Sequence, residues 1–187
     1  MNLYEILTNS NIIKSINDNL DEMLLLIPEL KFIIGFDHKH PHHHLDVWEH
    51  TLYALSLSEN DFEIRLCLLL HDIGKPFSYQ EDGEIRHYFN HAKVSSIISE
   101  KILKRLKYKD DFISEVCYLI KYHDTPIKKK EILENYNLQE KRYKIQTCDA
   151  LAHNPEKLEK RKKYLNKTKI LLYKQNVKQN EKYSVKC

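Results

Sequence analysis

Glycine and proline are scarce, with 3 and 5 residues in a chain of 187. A β-sandwich or a doubly wound sheet needs many more turn residues than that, so helices joined by short polar loops fit better. No stretch approaches the roughly 20 consecutive apolar residues of a membrane span, and no membrane partner is expected. The opening MNLYEILTNSNIIKS carries acidic and amide residues early and lacks a small-residue cleavage site, so no signal peptide is expected. Cysteine is sparse as well. Cys67, Cys117, Cys148 and Cys187 lie scattered without CxxC spacing. That argues against a disulfide frame or a Cys-based zinc site and for a reducing, cytoplasmic setting.

What is present describes an ordinary folded domain. Apolar residues make up 42% and charged residues 30%, enough to build a core and too apolar for disorder. The net charge of +3 conceals an asymmetry. From Pro155 onward eleven Lys/Arg face three Glu, whereas Met1–Asn154 holds nineteen against twenty-four acids. Such a basic end can bind RNA through phosphate contacts, or it can be a solvated helix face. The length suits a single domain over 1–187, with a core at about 28–154 and a basic C-terminal helix and tail over 155–187. No internal repeat is visible.

Apolar periodicity predicts a helix over Asn11–Ile27, closed by Pro28, and a second over Asp46–Ser58. A third begins at Asp61 as N-cap and runs to His71 and Asp72, where Gly74 and Pro76 stop it. Phe77–Tyr88 reads as a loop with a turn at Glu81-Asp82-Gly83. Helical spacing returns over His91–Lys107 and from Asp110 or Asp111 to near His123. Leu133–Leu138 reads as a short turn or helix, and Tyr143–His153 and Pro155–Lys174 as the last two helices. The final dozen residues are expected to fray.

The 11 histidines carry the chemistry. In LLLHDIGKP, Leu68–Pro76, an apolar helix runs straight into His71 and Asp72, a mixed nitrogen–oxygen donor pair suited to Mn, Fe, Co, Ni, Zn or, less well, Mg. A histidine that merely caps the helix would look the same. His50, in DVWEHTL, lies in register with Val47, Ala54 and Leu57 and should point inward, as a ligand or as a core histidine. Asp149, in TCDALAH, sits among Ile145, Cys148, Leu151 and Ala152, where a carboxylate is costly unless paired, metal-bound or exposed. Together these four residues come from three separate helices and can surround one ion.

PHHHLDVWEHTLYAL, LLLHDIGKP, DGEIRHYFNHAKVSS and CDALAHN, in that order across Pro41–Asn154, resemble the HD superfamily of metal-dependent phosphohydrolases. More closely, they resemble the HD domain carried C-terminally by bacterial CCA-adding enzymes and related tRNA nucleotidyltransferases. The resemblance implies an all-α HD-domain helical bundle with a metal site in its core. It implies His50, His71, Asp72 and Asp149 as ligands of a first divalent ion and, where a second is held, His91 and His123, with Asp72 bridging. His87 is a lesser rival to His91.

In this reading His71 and Asp72 assemble the ion, and Lys75 meets a substrate phosphate. Arg86 and His43 are further substrate-binding candidates. His38, His40, His42 and His44 could form an adventitious metal-binding tract, and Asp46, Glu49 and Asp124 are read as groups that orient ligands or lie at the surface. The related domains act on 2′,3′-cyclic nucleotides and small phosphates, so hydrolysis of a nucleotide-type phosphoester is expected. The nucleotidyltransferase head, with its Gly-Ser and paired-aspartate motif, is not seen. A free-standing HD domain without CCA polymerisation is therefore expected. The rival readings are a non-catalytic RNA-binding module and a nucleotide sensor.

Overall fold

The computed structural model describes residues 2–42 and 44–184, with the backbone alone for Lys157 and residues 179–184. Ten α-helices and one β-hairpin make up the described residues. The chain opens on a short helix, α1 (Leu3–Leu7), which apolar spacing did not announce. Asn2 and Glu5 close a reciprocal capping box there, and Leu3, Ile6 and Leu7 are buried. The single helix expected over Asn11–Ile27 is two, α2 (Ile12–Asp18) and α3 (Leu20–Leu26). The break falls at Asn19, whose side-chain amide donates to the Ser15 carbonyl at 2.8 Å.

The next two helices frame the centre of the molecule. Asp46 and Glu49 form a capping box at the start of α4 (Val47–Ser56), so both serve the helix terminus. Asp61 accepts from the Ile64 amide and caps α5 (Phe62–Leu70), as its position in the sequence predicts. Every residue of α5 from Ile64 to Leu70 is buried. It packs against α1 and α4 and against three later helices, α6 (His91–Arg105), α7 (Asp110–Lys121) and α9 (Tyr136–Leu151). A helix apolar on all sides belongs at the centre of a bundle. The end of α5 therefore delivers His71 and Asp72 into the interior. Arg65, also buried, donates to the carbonyls of Leu7 and Asn9 and so ties the N-terminal helix to α5.

The expected loop at Phe77–Tyr88 contains a hairpin, β1 (Tyr79–Asp82) and β2 (Ile85–Tyr88), turning through Gly83 at φ +60°. A short helix, α8 (Lys129–Glu134), and α10 (Glu159–Ser184) enclose a small second cluster of Ile127, Ile132 and Leu172. The helix α10 continues to Ser184, through most of the stretch expected to fray.

Candidate metal centre

Three segments meet at the C-terminal end of α5. His50 comes from α4, His71 and Asp72 follow α5, and Asp149 comes from α9; all are buried. His50 Nε2 stands 3.1 Å from Asp149 Oδ1 and 3.7 Å from Asp72 Oδ2. His71 Nε2 stands 3.2 Å from Asp72 Oδ2 and 3.7 Å from Asp149 Oδ1. Donors about 2.1 Å from a shared ion lie roughly 3–3.5 Å apart, so this spacing suits one.

The other oxygen of Asp72 faces a different pair. Asp72 Oδ1 lies 3.5 Å from His91 Nε2 and 3.9 Å from His123 Nε2, and those two nitrogens are 3.4 Å apart. His91 is the first residue of α6, and it reaches Asp72 because Gly74 lets α6 close in. A Cβ on Gly74 would stand 2.5 Å from the Ser95 amide and 2.8 Å from the His91 carbonyl. His123 follows α7 in a loop held from α9: Arg142 donates to the Tyr122 and Thr125 carbonyls, and so does Gln146. Tyr164 of α10 closes the brace, accepting from the Ile127 amide and donating to Gln146 Oε1.

The protons of these rings are fixed by their outer nitrogens. Nδ1 faces a backbone carbonyl in each case: Ala152 for His50, Leu68 for His71, Tyr88 for His91 and Ile120 for His123. A carbonyl can only accept, so each Nδ1 carries hydrogen and Nε2 is the nitrogen each ring turns inward, the one able to meet a metal once free of a proton. These nitrogens face carboxylate oxygens, a donor arrangement suited to a cation. His71 Nε2 and Asp72 Oδ1 are buried with no hydrogen-bond partner among the described residues. Although Asp72 Oδ2 is 3.2 Å from His71 Nε2, it does not bond to it. The donor set fits a divalent ion on each side of Asp72, and both trios, His50/His71/Asp72 and Asp72/His91/His123, draw their donor atoms within 4.8 Å of one another.

Electrostatics follow the same division. Burial disfavours the His71 imidazolium, but Asp72 and Asp149 outweigh it and hold its pKa at about 10. Burial would raise the Asp72 pKa, yet His71 and Lys75 hold it well below the usual carboxylate range. Burial pushes His123 down to about 4, aided by His71 and His91, so it stays neutral with its lone pair available.

Lys75 is buried, its Nζ 2.6 Å from Asp72 Oδ2 and 2.9 Å from His38 Nε2. It lines a pocket of about 250 Å³ over the cluster, beside His91, His123, Asp124 and Asp149. Arg86 is absent from that lining: it packs over Phe36 and Tyr79 and bonds Glu81 and the Asp37 carbonyl. His43 lies outside the described residues. The histidine tract does not gather into a metal group among the described residues: His38 bonds Lys75 and Leu45, while His40 and His42 stack at 5.1 Å. His87 lies at the pocket wall, and His91 at the cluster.

Two neighbours of Asp149 went unread in the sequence. His153, four residues on, forms a further potential donor trio with His50 and Asp149, and its i,i+4 spacing was a legible signal. Arg161 of α10 places Nη1 3.1 Å from Asp149 Oδ2, and nothing in its local sequence marks it. Among the described residues no helix is long and apolar enough to cross a membrane.

Comparison with known proteins agrees with this picture. Residues 42–179 match the family model of the HD domain. A CC-adding tRNA nucleotidyltransferase of Thermus thermophilus is 34% identical over 104 residues, 52% of this chain and 24% of that protein. An A-adding tRNA nucleotidyltransferase of Deinococcus radiodurans is 33% identical over 106 residues, 53% and 24% of the two chains. A multifunctional CCA protein of Hahella chejuensis is 28% identical over 130 residues, 67% and 29%. The match thus spans between 24% and 29% of each relative's length. With its helical bundle, its His–Asp pair at the end of a central buried helix and a family match over most of its length, the chain belongs to the HD domain family.

Proposed function

We propose that the chain is a metal-dependent phosphohydrolase acting on a nucleotide-type phosphoester. His50, His71, Asp72 and Asp149 hold one divalent ion, and Asp72, His91 and His123 hold a second. The observation that carries this reading is the buried His–Asp cluster in which Asp72 turns one oxygen to each set of imidazole nitrogens. When bound, such ions supply Lewis acidity toward water and toward phosphoryl oxygens. The chain's own residues do the rest. His71 and Asp72 assemble the centre, and the backbone carbonyls behind the rings keep the lone pairs turned inward. Lys75, fixed between Asp72 and His38, adds positive charge at the pocket floor for a phosphate. Arg161 adds another at the pocket wall. Asp124, 3.9 Å from His91 Nε2, stands open to solvent at the mouth. The acting unit is the whole helical assembly as one domain, since α9 and α10 supply Asp149 and Arg161.

The test is hydrolysis of 2′,3′-cyclic AMP, a bis-nitrophenyl phosphodiester and a nucleotide panel. It uses metal-stripped protein reloaded separately with Mn, Fe, Co, Ni, Zn or Mg. Turnover should depend on the metal and vanish in Asp72→Ala. Retained turnover in a pure Asp72→Ala preparation would sink the proposal.

A second reading, an RNA-binding module, is favoured by the exposed Lys160, Lys162, Lys163, Lys167 and Lys169 of α10 and by relatives named for tRNA. Steeply salt-dependent tRNA binding with no hydrolysis under any metal would select it.

A further inference from the structure

Two pairs of stacked rings stand side by side at the mouth of the pocket. His40 lies over His42 at 5.1 Å and 22°. His87 lies over Phe89 at 5.8 Å and 21°. His40 meets His87 edge-on at 6.1 Å, joining the pairs into one wall, and all four rings line the pocket. The wall is built from distant parts of the chain that the backbone pins together. Arg86 donates its amide to the Lys39 carbonyl at 2.9 Å, and the Tyr88 hydroxyl donates to the His38 carbonyl at 2.6 Å. Beyond Phe89, Asn90 turns the chain at φ +61° and hands it to His91 at the metal cluster.

Phe89 is 59% exposed, and its ring lines the pocket. One of its faces is covered by His87, and an exposed aromatic at a pocket mouth is suited to a planar, weakly polar ligand group. The same pocket is also lined by the cationic Arg161 and by Asp72, His91 and His123, suited to a phosphoryl group. The pocket therefore offers both planar rings and charge.

We propose that this wall, with Phe89 at its tip, stacks the nucleobase adjoining the phosphoester that the metal cluster acts on. Phe89 is then the residue that makes the site prefer a nucleotide over a phosphate ester without a base. The proposal rests on the phosphohydrolase reading and names the part of the substrate that reading left open.

The experiment compares 2′,3′-cyclic AMP with the 2′,3′-cyclic phosphate of methyl riboside, which has the same reacting group and no base. Wild-type protein should prefer the nucleotide in kcat/KM. In Phe89→Ala that preference should fall about tenfold, the scale of one lost base–aromatic stack, chiefly through a higher KM for the nucleotide. Phe89→Trp should restore it. An unchanged preference in Phe89→Ala, or no preference in the wild type, overturns the proposal. Should neither ester be turned over, the phosphohydrolase reading fails by itself, and calorimetric titration of AMP decides the stack. Binding about tenfold weaker in Phe89→Ala supports it; equal binding, or none, overturns it.

Discussion

Asp72 is where the separate features of the site converge, because each of its oxygens serves different neighbours. Oδ2 faces His50, His71 and Lys75, while Oδ1 faces His91 and His123. One electrostatic consequence falls on His71. Its pKa of about 10 in the metal-free protein lies above the roughly 6.5 of an unfolded chain. A raised pKa means that the folded state holds this proton more tightly. Its stabilisation is therefore complete below about pH 6.5 and is lost as pH rises toward about 10. A divalent ion needs the same lone pair and must expel the proton. Near pH 8, binding of the first ion should release about one proton. Calorimetry in two buffers of different ionisation enthalpy reads that number directly, and a value near zero would show that His71 is neutral before the metal arrives. At this scale the sequence was informative about residues lying within short motifs: His50, His71, Asp72, Asp149, His91 and His123 are brought together. It was silent on Arg161 and on His38 as the partner of Lys75, because those contacts join segments far apart in the chain.

The elements themselves show why some helices were legible and others were not. The three predicted around the site, at Asp46–Ser58, Asp61–Asp72 and His91–Lys107, have apolar inner faces or clear caps, and each formed. The helix α9 starts at Tyr136, seven residues before the expected start at Tyr143. Its first two turns bury Gln139 and Arg142, so a search for apolar periodicity finds only the later part, where Ile145, Cys148 and Ala150 are buried. The hairpin was hidden for a related reason, since all four residues of β1 are exposed and no alternation exists. Gly74 was read as a helix stop, and its larger role is spatial. With a Cβ 2.5 Å from the Ser95 amide, Gly74→Ala would force α6 away from the end of α5. Overpacking of this kind costs about 1–3 kcal/mol, and the clash is with backbone, which yields poorly. The same displacement would draw His91 from Asp72. We expect Gly74→Ala to be less stable in urea by about that amount and to bind a second ion more weakly than a first, as counted by metal titration. Unchanged stability would mean that α6 already has room to move.

Across the whole molecule, the donor groups come from α4, the end of α5, the start of α6, the loop after α7 and α9, which are far apart in sequence. An ion held among them cross-links most of the bundle, and the unfolded chain has no comparable site. Binding to the folded state alone stabilises by about 4 kcal/mol at a ligand concentration of roughly 1,000 Kd. In a domain of this size each kcal/mol moves Tm by about 2–4 °C, which gives a shift of roughly 8–16 °C. Metal-stripped protein should therefore melt well below metal-loaded protein. The gap should widen from about pH 7 to about pH 9, because the folded metal-free form must keep the His71 proton that the unfolded chain has already shed, and its stability falls over that range. Asp72→Ala removes the carboxylate that faces both donor sets, and it should erase the metal-dependent shift. Melting curves with and without Mn at several pH values test all of this together. A shift that persists in Asp72→Ala would place the stabilising ion elsewhere on the histidine-rich surface. A shift confined to the wild type would identify the buried cluster as the point where binding, folding and the proposed chemistry are coupled.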